Sequence, residues 1–174
     1  MTALHHPPCI IDIEASGFGK GSYPIEVGAV WADAGVYCSL ISPEPGWSHW
    51  ETTAESVHGI TRGVLQQHGK PAMTVATDLN AHLKNQTVYT DAWYHDYQWL
   101  ARLFDAADMY PAFKLKDLRE VMDQNAMAHW DETRAKVLQE LNLTRHRASN
   151  DARVLQQTWC RLMQPQANTP TVAA

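Results

Sequence analysis

A chain of 174 residues, 45% hydrophobic and 19% charged, has the length and composition of one soluble globular domain with a full core. Its net charge of −5 does not suggest a protein that coats nucleic acid by bulk electrostatics, and leaves room for an enzyme whose nucleic-acid contacts run through bound metal ions. No apolar run approaches the roughly 20 residues of a membrane span, and the N-terminus lacks the basic and apolar regions of a signal peptide. Cys9, Cys38 and Cys160 are an odd set without CxxC spacing. That argues against a disulfide framework or a zinc knuckle and for a reducing cytoplasm.

In chain order, the apolar run Cys9-Ile10-Ile11 leads into Asp12-Ile13-Glu14, so residues 9 to 14 read as a first strand. Side chains two apart on a strand share a side, so both carboxylates project together from its C-terminal end. They read either as two solvated acids or as half of a divalent-metal site, since hard cations prefer carboxylate oxygens. Gly17, Gly19 and Gly21 form a flexible connection. Residues 25 to 32 and 36 to 41 are expected as strands two and three, joined by a hairpin turn at Asp33-Ala34-Gly35. A Pro-rich stretch from Ser42 to Glu51 carries Trp47 and Trp50, as a flap or an interface. Short helices are expected at 52 to 57 and 61 to 68, then a longer one from Pro71 to Leu83. Residues 87 to 90 form a fourth strand. Helices follow at 92 to 106, 115 to 123, 131 to 141 and 149 to 163. Residues 1 to 8 and the Pro, Thr and Ala-rich tail from 164 are expected as flexible termini around one domain, 9 to 163. The pattern predicts an α/β fold, a mixed central sheet with helices packed on it.

Two more carboxylates fall on apolar helix faces. Asp96 shares a stripe with Trp99, Leu100 and Leu103, and Asp151 shares one with Val154, Leu155, Thr158 and Leu162. A buried ionised carboxylate costs several kcal/mol unless compensated. Alone, each reads as a helix cap or a buried hydrogen bond; with Asp12 and Glu14, one shared metal cluster explains all four. His146 stands five residues before Asp151. On a single helix the two would diverge by about 140°. If Ser149 or Asn150 caps the last helix, the preceding loop can fold His146 back beside Asp151. There an imidazole suits a general base, and a surface histidine is the alternative.

This pattern resembles the DEDDh 3′–5′ exonucleases, which include polymerase proofreading subunits, RNase T and oligoribonuclease. The first motif is similar to Asp12-Ile13-Glu14-Ala15-Ser16-Gly17, with Tyr23 to Val30 as its companion strand. Val57-His58-Gly59-Ile60-Thr61 resembles the family's HGIT element, and His146-Arg147-Ala148-Ser149-Asn150-Asp151-Ala152 its third motif. The second motif departs from the usual His-Asn. Here Asp91 stands where Asn is expected, and one extra residue precedes Asp96. Asp96 is preferred as the family's acid because Trp99-Leu100 follow at the right spacing, which leaves Asp91 as a helix N-cap.

The resemblance implies an RNase H-like fold, two divalent ions (Mg²⁺ or Mn²⁺) and hydrolysis of single-stranded DNA or RNA from its 3′ end. Asp12, Glu14 and Asp151 would hold one ion. Asp12 would bridge to a second ion supported by Asp96, and His146 would take the proton from the attacking water. The main chain of Ala15, Ser16 and Gly17 would border the terminal nucleotide, with Phe18 and His58 against its base or sugar. Trp93 and Tyr94, next to Asp96, are further candidates to meet a single strand. Several relatives are homodimers. A non-catalytic module that binds 3′ ends or a partner is the alternative.

Overall fold

The computed structural model describes residues 6–163; the tail from 164 lies outside the described residues. Five strands form one sheet: β1 (Cys9–Ala15), β2 (Pro24–Val30), β3 (Val36–Leu40), β4 (Thr87–Thr90) and β5 (Lys114–Asp117), in the order β3-β2-β1-β4-β5. The first three are antiparallel neighbours joined by short connections. β4 runs parallel to β1, and β5 parallel to β4. The helices are α1 (Thr52–His58), α2 (Arg62–His68), α3 (Ala72–Leu83), α4 (Trp93–Ala106), α5 (Gln124–Ala128), α6 (Trp130–Leu141) and α7 (Ala148–Met163). None is long and apolar enough to cross a membrane.

The alternation of β1 sorts the core. Cys9, Ile11 and Ile13 pack with Val75, Leu79, Trp99 and Leu103 of α3 and α4. Ile10 packs on the opposite face with Ala152, Leu155 and Trp159 of α7. A third cluster, Tyr23, Ile25, Ile60 and Leu65, is covered by Trp47 and Trp50. Trp47 stacks on Tyr23 with ring centroids 5.1 Å apart, and Trp50 donates its indole N–H to Glu55 at 2.6 Å. These contacts hold the Pro-rich stretch against the body.

The expected helix over 115 to 123 is instead β5 followed by one 3-10 turn, Leu118–Val121, capped by the Asp117 carboxylate. Lys-Leu-Lys-Asp carries no β-branched residue and two lysines, as suits an edge strand that resists further pairing. α5 is a further element absent from the sequence reading. Pro71 stands at the N-cap of α3, one position before its first helical residue.

Candidate active site

Asp12 and Glu14 alternate with Ile11 and Ile13, so they project on the same face as Ile10, toward α7. In the β1–β2 register Asp12 lies opposite Gly28 and Glu14 opposite Glu26. Those two β2 residues seat the start of α7. A Cβ on Gly28 would lie 2.1 Å from the Ser149 amide nitrogen and 2.2 Å from the Ala148 carbonyl carbon, so only glycine lets the helix rest on the strand. Glu26, fully buried, accepts the Ala148 N–H at 2.9 Å and three bonds from Nε and Nη2 of the Arg147 guanidinium at 2.6–3.2 Å. The N-terminus of α7 is therefore satisfied from β2, and neither Ser149 nor Asn150 is its cap; Asn150 donates to the Thr144 carbonyl instead. The sequence reading placed Glu26 and Gly28 on the companion strand without a task.

Asp151 lies in the first turn of α7, where the helix dipole favours an anion. Its Oδ2 accepts the main-chain N–H of His146 at 2.8 Å. His146 adopts a left-handed conformation, φ +58°, and this reverses the chain so that both side chains face one site. Carboxylate oxygens of Glu14 and Asp151 and a ring nitrogen of His146 all lie within 4.8 Å of one another.

Asp96 comes from the first turn of α4 and is 1% exposed. Thr90, at the end of β4, donates its hydroxyl to Asp96 Oδ2 and accepts the Ala92 N–H. Asp91 is not the cap of α4; its carboxylate pairs with Arg134 of α6 at 3.2 Å.

All four acids and His146 line one cleft of about 540 Å³, together with Ala15, Gly17, Phe18 and His58. Ser16 does not line it. Its N–H donates to the Tyr23 carbonyl, its own carbonyl accepts from Glu51, and its hydroxyl meets Tyr23 N–H and His49. A Cβ on Gly17 would overlap the Glu51 carboxyl group, so that glycine permits the close approach of the Glu51 wall. Phe18 is 60% exposed and stands edge-on to His95. His58 is buried; its Nδ1 accepts the Ile60 N–H, which leaves the neutral ring a hydrogen on Nε2, and that atom has no partner among the described residues. Burial also pushes the His58 pKa down, which favours that neutral ring.

The electrostatics are those of crowded anions. Burial, followed by Asp96, Glu14 and Asp151, holds the Asp12 carboxyl well above the usual carboxylate range. Burial and then Asp151 push Glu14 up to about 7. Burial raises Asp96 to about 7 as well, with the Thr90 hydrogen bond opposing it. Carboxylates crowded in this way fit a hard cation, whose charge would offset both the burial cost and the repulsion.

No protein-family model and no curated protein sequence matches the chain. Among solved structures it is similar to exonuclease I of E. coli. One such structure, described as suggesting how processivity is achieved, aligns with a TM-score of 0.70 at 13% identity over 92% of this chain. A second, in complex with a dA13 oligonucleotide, aligns with a TM-score of 0.65 at 13% identity over 93%. The zinc-bound form of the exonuclease I complex with single-stranded DNA aligns with a TM-score of 0.66 at 14% identity over 92%. The alignments cover 42% of each of those chains, so this chain spans under half their length. At that identity the likeness is one of fold: the chain has the α/β, RNase H-like exonuclease fold, a mixed five-stranded sheet flanked by helices.

Proposed function

We propose that the chain is a divalent-metal-dependent 3′–5′ exonuclease that removes nucleoside 5′-monophosphates from single-stranded nucleic acid. The observation that carries the reading is the meeting of Asp12, Glu14, Asp96, Asp151 and His146 in one cleft. Asp12, Glu14 and Asp151 would hold one Mg²⁺ or Mn²⁺, and Asp12 and Asp96 a second. When bound, such ions polarise the attacking water and neutralise charge on the phosphate and leaving oxygens. His146, beside Glu14 and Asp151, takes the water proton on an imidazole nitrogen. His58, on the lining of the cleft, offers its Nε2–H to the sugar or base of the terminal nucleotide. Phe18 offers a ring on which any base can stack. A module that only bound 3′ ends would have no use for a base beside the carboxylates. Single-stranded DNA is the first substrate to try, because the similar exonuclease I structures hold DNA oligonucleotides.

A single strand labelled at its 5′ end tests the direction of attack. The label should persist on a ladder that shortens stepwise, and its release first as a mononucleotide would contradict the proposal. His146→Ala should lose most turnover while Mn²⁺ binding, followed by calorimetry, is largely kept. Equal loss of both would make His146 a structural residue.

The raised carboxylates also set a pH dependence of stability. Glu14 and Asp96 titrate near 7 when folded, above their unfolded values of about 4. Between those values the folded state binds more protons, so metal-free stability is highest below about pH 4 to 5 for these groups and declines toward pH 7. The melting temperature in chelator should therefore fall from pH 5 to pH 8, and Mn²⁺ should restore most of the loss. A flat profile with no response to the cation would refute the assignment.

A further inference from the structure

We propose that the strand behind the terminal nucleotide leaves the cleft over the first turns of α4, its bases stacking on Tyr94 and Tyr97 and a phosphate meeting Lys20. This rests on reading the cleft as one that takes a 3′ end. A groove of about 580 Å³ runs between the 17 to 22 loop and α4, and His95 and Trp99 line both it and the cleft. The rings continue from one to the other: Phe18 lies 5.1 Å from His95, His95 stacks on Trp99 at 5.6 Å, and Tyr94 stands 5.3 Å beyond His95.

Tyr94 is 68% exposed and Tyr97 52%, on the outer face of an amphipathic helix whose inner face is core. Trp93 stacks on Tyr97 and donates its indole N–H to the Leu115 carbonyl of β5, so the platform is held before any strand arrives. Aromatic faces tolerate every base, as a non-specific strand path requires.

Charge favours this groove over a second one that meets the cleft at Arg134. That second groove is lined by Asp91 and Asp131, and its two arginines are committed, Arg119 to Asp117 and Arg134 to Asp91. In the α4 groove Lys20 is exposed, and Asp105 is the one acid on the lining. Arg102 is already spent as a buttress, donating to the Ser22 carbonyl under the loop.

The test compares a dinucleotide with a single strand of about eight nucleotides, a length that spans cleft and groove. Tyr94→Ala/Tyr97→Ala should raise KM for the longer strand about thirtyfold or more, from two lost stacking contacts, and leave dinucleotide kinetics within about twofold. Tyr94→Phe/Tyr97→Phe should restore the wild-type values. Lys20→Ala should lower the slope of log affinity against log salt by about 0.7, one phosphate contact. An unchanged KM for the longer strand, or equal change for both lengths, would overturn the path. If the wild type hydrolyses neither substrate, the nuclease reading fails. Fluorescence anisotropy of the labelled longer strand in chelator then still reads the groove, and equal binding by wild type and double variant rejects it.

Discussion

Asp12→Asn is expected to cut mononucleotide release about a thousandfold or more while raising the melting temperature of the metal-free protein at pH 8. The two effects have one cause. Asp12 sits where Asp96, Glu14 and Asp151 all push its carboxyl up, and no basic side chain offsets it. The amide keeps the shape and removes one charge, so the remaining acids ionise at less cost. The same change removes the group proposed to serve both ions, and each ion contributes several kcal/mol of charge stabilisation in a phosphoryl displacement; every 1.4 kcal/mol is about a tenfold change in rate. A variant that melts lower, or keeps its turnover, would contradict this account of Asp12.

Gly28→Ala is expected to lower the melting temperature by about 6 to 12 °C and turnover by about a hundredfold, although it replaces no acid. The added methyl would meet main-chain atoms of α7 at 2.1 and 2.2 Å, which cannot swing aside as a side chain can. The helix must back away from β2. Overpacking of this severity costs about 3 kcal/mol, and each kcal/mol is worth about 2–4 °C in a chain of this size. His146 and Asp151 ride on the displaced end, and a misplacement near 1 Å costs about a hundredfold in rate. Gly63→Ala in α2 is the control. Its nearest neighbour would be the Thr61 hydroxyl at 3.8 Å, and it should be neutral or stabilising by up to about 1 kcal/mol. Differential scanning calorimetry of both variants, alongside turnover, separates the close approach from a general intolerance of alanine.

The strands were legible as far as their hydrophobic periods reached, and their order in the sheet was not. β1 announces itself as an apolar run, and α4 and α7 as stripes that each carry one misplaced acid. β5 was not legible, because its alternation is carried by a single leucine between two lysines and its pairing is supplied by β4. The supports of the site were hidden for a different reason. Glu26 gains its role only when Arg147, 121 residues later in sequence, folds over it. Asp91 reads locally as a cap, yet a distant arginine, Arg134, claims its carboxylate. Ser16, read as part of the nucleotide wall, is consumed by the turn to Tyr23 and by His49. Local spacing identifies which side chains leave a strand or helix together; which long-range partner satisfies each polar atom emerges only from the packing.

The most direct measurement is the release of nucleoside 5′-monophosphates from a single-stranded oligonucleotide, followed by chromatography with Mg²⁺ or Mn²⁺ and again after chelation. The account predicts 5′-monophosphates from the 3′ end with either cation, none in chelator, and release lowered about a thousandfold or more by Asp12→Asn with the cation present. Undiminished release in chelator, or release of 3′-monophosphates, would contradict it.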